Sequence, residues 1–455
     1  MKASTESHAD VGDKANDALR VNGNELRCKV VGEGGNLGMT QLGRVEFGLN
    51  GGATNTDFID NAGGVDCSDH EVNIKILLNE VVQGGDMTEK QRNQLLGSMT
   101  DEVAGLVLGN NYKQTQALSL AARRARERIA EYKRLMADLE ARGKLDRAIE
   151  FLPSEEQLAE RLAAGHGLTR AELSVLISYS KIDLKEQLLK SLVPDDDYLT
   201  RDMETAFPPS LVSKFADSMR RHRLKREIVS TQIANDLVNN MGITFVQRLK
   251  ESTGMSPANV AGAYVIVRDI FHLPHWFRQI EALDYQVPAE IQLTLMDELM
   301  RLGRRATRWF LRSRRNEQDA GRDTAHFGPK IAQLGLKLDE LLEGPTRERW
   351  MVRYQALSTP VCQNCWRAWW RVPATCTPCC RSSKRPTSPV TTPPGGQGVL
   401  RRGQLAGPDL VPAGNQQLAG GEQLAGAGPR SLPRRHRPAA AGDHHFGAAD
   451  GRCAG

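Results

Sequence analysis

Between residues 84 and 357 the chain repeats one instruction: open a helix, stripe one face with apolar side chains, then break at a proline. Capping-box spacings stand at Thr88 with Gln91, Ser154 with Gln157 and Thr169 with Glu172. In that pattern a hydroxyl accepts a first-turn backbone N–H while the later side chain reaches back to the cap. Ser256 before Pro257 is a further start, since a proline in the first turn lacks only an N–H that would have had no helical partner. Leu184, Leu188 and Leu192, then Ile233, Leu237 and Met241, recur every four residues and mark one helix face. Pro194, Pro208, Pro209, Pro274 and Pro288 punctuate the series. The region reads as a helical array.

The stretch before it is different. Residues 21 to 83 are rich in Gly and Asn, with short β-type runs at 26–31 and 44–47 and an apolar, helix-like stretch at 72–82. That is α/β character. After Leu357 the pattern breaks again into Arg, Pro, Gly and Ala, with QLAG recurring at 404, 417 and 423 and six of the eight cysteines. The tail, 358–455, is either a disordered low-complexity segment or text read out of frame. Shifting a GC-rich gene by one base yields such a composition, and we read it so.

This division changes the meaning of the net charge of +5. The tail carries 11 Arg and 1 Lys against 4 acids, whereas residues 1–357 hold 48 basic and 51 acidic residues. The expected folded part is therefore slightly acidic, without the basic footprint of a nucleic-acid binder. No apolar run approaches the roughly eighteen residues of a membrane span. The first residues, MKASTESHADVGDK, lack the apolar core of a secretory signal. A soluble, cytoplasmic protein with no membrane partner is expected.

Three side-chain clusters invite a functional reading and are set aside. Cys362, Cys365, Cys376 and Cys379 have zinc-ribbon spacing, but no Gly-turn knuckle follows the first pair and the text around them is read as out of frame. Asp66, Cys67, Asp69, His70 and Glu71 put metal-ligand types close together, with Asp66 and His70 on one helix side. No distant ligand cluster completes them, and a polar helix N-terminus is the plainer reading. Residues 301–315, RLGRRATRWFLRSRR, could grip phosphates or bases. A solvated face with Leu302, Trp309 and Phe310 buried behind it is the commoner outcome. No metal site is expected.

The glycines of VVGEGGNLG at 30–38 raise the question of a dinucleotide phosphate loop. Such a loop needs a strand, a glycine turn, a helix under the pyrophosphate and an acid about 20 residues on. Turns at Gly43 and at Asn50-Gly51-Gly52 leave no room for that helix, and Asp57 and Asp60 do not end a second strand. It is not the phosphate loop. What remains is a pair of Asn-bearing glycine loops, Gly34-Gly35-Asn36 and Asn61-Ala62-Gly63-Gly64. Glycine admits close backbone approach and each amide offers donor and acceptor, which suits a ring bearing an amide, such as nicotinamide.

The pair VGEGGN and DNAGGVDCSDHE resembles the late part of the cofactor domain of glutamate dehydrogenases, and the flanking text resembles the large, NAD-specific bacterial members. The resemblance covers about residues 1–357. It implies a partial, Rossmann-like dinucleotide-binding α/β domain at 1–83, a mostly α-helical C-terminal domain at 84–357 and the tail at 358–455. It implies NAD as cofactor, L-glutamate and 2-oxoglutarate as substrate and product, and a homo-oligomer in the intact enzyme. Asn36 and Asn61 match the family asparagines near the nicotinamide and its ribose. Gly34, Gly35 (where many members have Ala), Gly63 and Gly64 keep the backbone near the cofactor. Ser68 matches the serine that binds the distal carboxylate of glutamate, and Glu71 a structural acid. The family's catalytic lysine and aspartate and its own phosphate loop are expected upstream, so the chain reads as an internal fragment, inactive alone. The competing reading is a non-catalytic helical scaffold or regulatory module, which has no need of the Asn36, Asn61 and Ser68 set.

Overall fold

The computed structural model describes residues 1–314 and 318–358. The cysteine pairs at 362–379 and the tail lie outside the described residues. The capping boxes do what their spacing demands. Thr88, Ser154 and Thr169 each accept the N3 backbone N–H, and Gln91, Gln157 and Glu172 return the bond, opening helices Glu89–Ser98, Glu155–Ala163 and Arg170–Leu189. Ser256 caps Pro257–Ile270 by accepting from the Asn259 N–H. Pro209 opens the Pro209–Arg220 helix, and Pro288 stands just before Ala289–Ser313. The Arg170–Leu189 stripe ends with Leu188; Leu192 lies beyond the helix and is exposed.

Burial follows the stripes. Ile233, Leu237 and Met241 are buried in helix Lys225–Met241, which packs along Arg170–Leu189. Pro257–Ile270 is apolar nearly all round and is sandwiched between Ala289–Ser313 and Ala320–Leu336. One continuous hydrophobic core runs from Ile59 to Ala320. In the arginine-rich stretch Phe310 and Leu311 are buried, while Leu302 and Trp309 stay partly exposed.

The α/β expectation for residues 1–83 is overturned: among the described residues there is no strand and no sheet, and hence no Rossmann-like domain. The 26–31 run makes a single parallel bridge, Val30 with Ala53, through Val31 N–H to the Ala53 carbonyl and Ala53 N–H to the Lys29 carbonyl. Pairing stops there because a strand is stabilised by a ladder of neighbours, and glycines follow at 32 and precede at 51–52. The 44–47 run is helical. Thr40 accepts the Gly43 N–H and opens Gln41–Leu49, which buries Val45 and Phe47 together. Residues 61–64, expected as a loop, are a helix start: Ala62–Gln83 is one helix, preceded by the single turn Asp57–Asp60. Its inner residues Ile74, Leu77, Leu78 and Val81 pack with helix Thr100–Arg123, which also lies on Arg170–Leu189.

Close backbone approach fixes one glycine. A Cβ on Gly167 would stand 2.6 Å from the Arg126 nitrogen and 2.8 Å from the Ala125 carbonyl carbon. Those are main-chain atoms with little freedom to move, so Gly167→Ala should destabilise the protein by about 1–3 kcal/mol. A urea midpoint equal to that of the unsubstituted protein would show that the two segments can part at no cost.

Candidate functional site

The chain brings Asn36, on a loop, and Asn61, at the start of helix Ala62–Gln83, together. The Asn61 side-chain amide donates to the Gly35 carbonyl at 2.8 Å and also to the Asn36 amide oxygen. Asn61 is the residue before helix Ala62–Gln83 and makes no side-chain cap bond, so its amide is turned to the Asn36 loop rather than to its own helix. Gly34, Gly35 and Asn36 are exposed, and Asn61 is half-buried. A Cβ added to Gly34, Gly35 or Gly64 would meet nothing within 4 Å. None of the three has a left-handed backbone. Packing within this chain therefore does not require glycine there. Gly63 faces Val107 of the neighbouring helix at 3.5 Å.

Beneath the Asn36 loop lies a support that sequence reasoning missed. Glu33 is buried; it accepts the Gly38 N–H at 2.6 Å and pairs with buried Arg44 at 2.6 Å. Asp57 stands 3.7 Å from Arg44 and accepts the Leu37 N–H at 3.2 Å. Asp60 accepts the Glu33 N–H at 3.2 Å and the Asn55 amide at 2.8 Å. Arg170, at the start of its helix, donates to Asn55 at 3.0 Å. Charge-assisted bonds of this kind hold a loop more firmly than neutral ones. The loop is thus clamped at Glu33, Leu37 and Gly38, on either side of Gly34, Gly35 and Asn36. Glu33 stands inside VGEGGN, and Asp57 and Asp60, which do not end a second strand, serve this support instead. Nothing in the sequence links Arg170 to Asn55.

Ser68 lies inside helix Ala62–Gln83, beyond its first turn, and it is exposed. Seven residues separate it from Asn61, two turns, so both sit on one side of the helix. Cys67, Asp69 and Glu71 are exposed as well, and Glu71 pairs with Lys75 one turn on. His70 points inward, its Nδ1 2.8 Å from the Ala206 carbonyl. Asp66 accepts the Asn110 amide at 2.9 Å and stands 3.7 Å from His70. Close by, Lys181 donates to Gln114 at 2.7 Å, and burial pulls its pKa down to about 7 against the opposing pull of Asp66. Among the described residues no group of three or more His, Cys, Asp and Glu side chains could hold a metal ion. No helix among them is long and apolar enough to cross a membrane.

A helical chain carrying a clamped, paired-asparagine loop matches two family models. "Bacterial NAD-glutamate dehydrogenase, catalytic domain" matches residues 1–121, which hold the loops, Ser68 and their support up to helix Thr100–Arg123. "Glutamate dehydrogenase, C-terminal" matches residues 165–363. The chain belongs to the bacterial NAD-specific glutamate dehydrogenase family. It is 87% identical over 355 residues to the NAD-specific glutamate dehydrogenase of Pseudomonas aeruginosa, covering 78% of this chain and 22% of that protein. The enzyme of that name from Halomonas elongata is 57% identical over 358 residues, with 78% and 22% covered. That from Mycobacterium tuberculosis is 43% identical over 344 residues, with 76% and 21% covered. The chain thus spans about a fifth of the length of the curated relatives it matches.

Proposed function

We propose that this chain supplies the nicotinamide-facing and glutamate-facing part of an NAD-specific glutamate dehydrogenase. The reaction converts L-glutamate, NAD and water into 2-oxoglutarate, ammonia and NADH. The observation that carries this reading is the Asn36–Asn61 contact, which joins an amide on the loop that buried Glu33 and Arg44 hold in place to an amide at the start of helix Ala62–Gln83. The open space at Gly34, Gly35 and Gly64 fits a cofactor whose ring and ribose come close to main chain. When bound, NAD supplies the acceptor for the hydride that leaves the glutamate Cα. Asn36 and Asn61 orient it through their amides, and Gly34, Gly35, Gly63 and Gly64 let it approach. Ser68 donates its hydroxyl hydrogen to the distal carboxylate of glutamate, on the same helix side as Asn61. Orientation of this kind is what a dehydrogenase adds to chemistry that belongs to its cofactor. The balanced charge of residues 1–357 supports a protein without a nucleic-acid partner. We place it in the cytoplasm, as a homo-oligomer, with no membrane partner.

The test is made in the intact enzyme. A hydrogen bond to a charged group contributes about 1.5–3 kcal/mol, so Ser68→Ala should lower kcat/KM for glutamate by roughly ten- to a hundredfold. The KM for NAD should stay as it was. Asn61→Ala should instead raise the KM for NAD by about three- to tenfold, the worth of a neutral hydrogen bond. Because Ser68 is exposed and lies inside a helix, its replacement by alanine should leave the melting temperature unchanged. Wild-type kinetics in both variants would retire this reading in favour of the helical scaffold.

A further inference from the structure

Five arginines converge on one crevice that the proposed dehydrogenase chemistry does not use. Arg124 and Arg128 come from the turn after helix Thr100–Arg123, Arg248 from helix Phe245–Thr253, and Arg301 and Arg304 from helix Ala289–Ser313. Asp297 is the single carboxylate among the lining residues, and Met241, Phe245 and Met300 form an apolar floor. Four of the five arginines have carboxylates at hand: Glu127 at 2.9 Å from Arg124, Glu131 at 3.1 Å from Arg248, and Glu298 at 3.3 Å from Arg301. Asp297 stands 3.9 Å from Arg128 but is engaged at 3.0 Å by Arg123. Arg304 has no ion pair or hydrogen bond among the described residues, although it is half-buried. Burial first, then the neighbouring charges of Arg248 and Arg128, push its pKa down to about 10. It remains a cation at neutral pH, placed among like charges over an apolar floor, with Glu131 pulling against them.

Such an arrangement is unfavourable by itself, because folding gathers like charges that an apolar side chain at position 304 would avoid. It becomes favourable when an anion sits among the guanidinium groups, whose planar forks match the oxygens of a phosphate. We propose that this crevice binds a compact, multiply charged phosphate, with Arg304 and Arg248 as its principal ligands. The cavity is about 20 Å³, room for one water. The phosphate therefore seats at the mouth, among the guanidinium ends. The same chemistry is offered by free inorganic phosphates and by the phosphate tail of a nucleotide.

The test uses the full chain and does not depend on enzymatic activity, so its failure leaves the proposed function untouched. Melting temperatures are measured with sodium diphosphate, with ADP, and with sodium chloride at matched ionic strength. Binding at a hundredfold excess over Kd should raise Tm by about 3–4 °C. A response to diphosphate assigns free phosphate as the ligand; a response to ADP alone assigns a nucleotide tail. Arg304→Met should abolish the response and, in chloride, melt above the wild type because a repulsion has been removed. Arg305→Gln, an exposed neighbour losing the same charge, should respond like wild type, and Arg248→Met should weaken the response at least tenfold in half-saturating concentration. A response retained in Arg304→Met, or no response to either phosphate, overturns the proposal.

Discussion

Arg268→Leu should cost the protein about 3–5 kcal/mol, as expected when one partner of a buried ion pair is removed. Arg268 is buried and donates to both oxygens of buried Asp202, at 2.7 and 3.2 Å, and to Asp236 at 3.2 Å and Asp269 at 3.0 Å. Tyr264, also buried, donates to Asp236 at 3.1 Å. Three carboxylates from separate segments thus share one guanidinium, which ties the 199–206 turn, helix Lys225–Met241 and helix Pro257–Ile270 together. The loss should depend on pH. Burial, its largest influence, raises the pKa of Asp202, while Arg268 works against that rise. A carboxyl raised in the fold stabilises fully below its unfolded pKa, and that contribution is lost as pH rises through its folded value. Removing Arg268 raises Asp202 further, so the penalty should shrink at pH 5 relative to pH 8. Urea unfolding at both pH values reads this directly. A penalty identical at the two would mean that Asp202 is not the residue left stranded.

Glu33→Ala should be nearly as damaging, and in a second way. It leaves Arg44 buried, with Asp57 at 3.7 Å as its remaining acid, which predicts a loss of about 3 kcal/mol. It also removes the acceptor for the Gly38 N–H, so the segment carrying Gly34, Gly35 and Asn36 loses its fixed end. In the intact enzyme the KM for NAD should therefore rise with little change in the KM for glutamate. Arg44→Met is the companion experiment. It should cost similar stability through stranded Glu33, and NAD binding should weaken less because Glu33 still holds Gly38. Equal effects of the two substitutions on the KM for NAD would separate the loop's position from Glu33.

The comparison of these two networks with the helix caps shows where a sequence is readable. Thr88, Ser154, Thr169 and Ser256 act on atoms three residues away, so their effect is written in spacing alone. The stripes through Leu184 and Leu188, and through Ile233, Leu237 and Met241, were legible for the same reason: helix geometry turns a period into a face. Asn36 and Asn61 could be singled out as amides in glycine-rich stretches, whereas Ser68 was implied only by the family resemblance, and Glu33 stood beside Asn36 in the same stretch.

Other features needed the tertiary structure. Val45 and Phe47 are good strand residues, but β preference measures packing against neighbouring strands, and this segment finds none among the described residues. Thr40 decides the matter by capping a helix whose third residue is Gly43, which lacks the reciprocal side chain of a capping box. Gly63 and Gly64 read as loop by propensity, yet they begin a helix whose later turns bury Ile74, Leu77 and Leu78. Burial outweighs the modest helix cost of glycine. Asn55 and Arg170 lie 115 residues apart, and Asp202 and Arg268 lie 66 apart. Charges at such separations meet only after helices have packed. Local spacing therefore determined where the capped helices start and which faces the striped ones bury, and packing between distant segments decided the support beneath the Asn36 loop and the ion pairs inside the core.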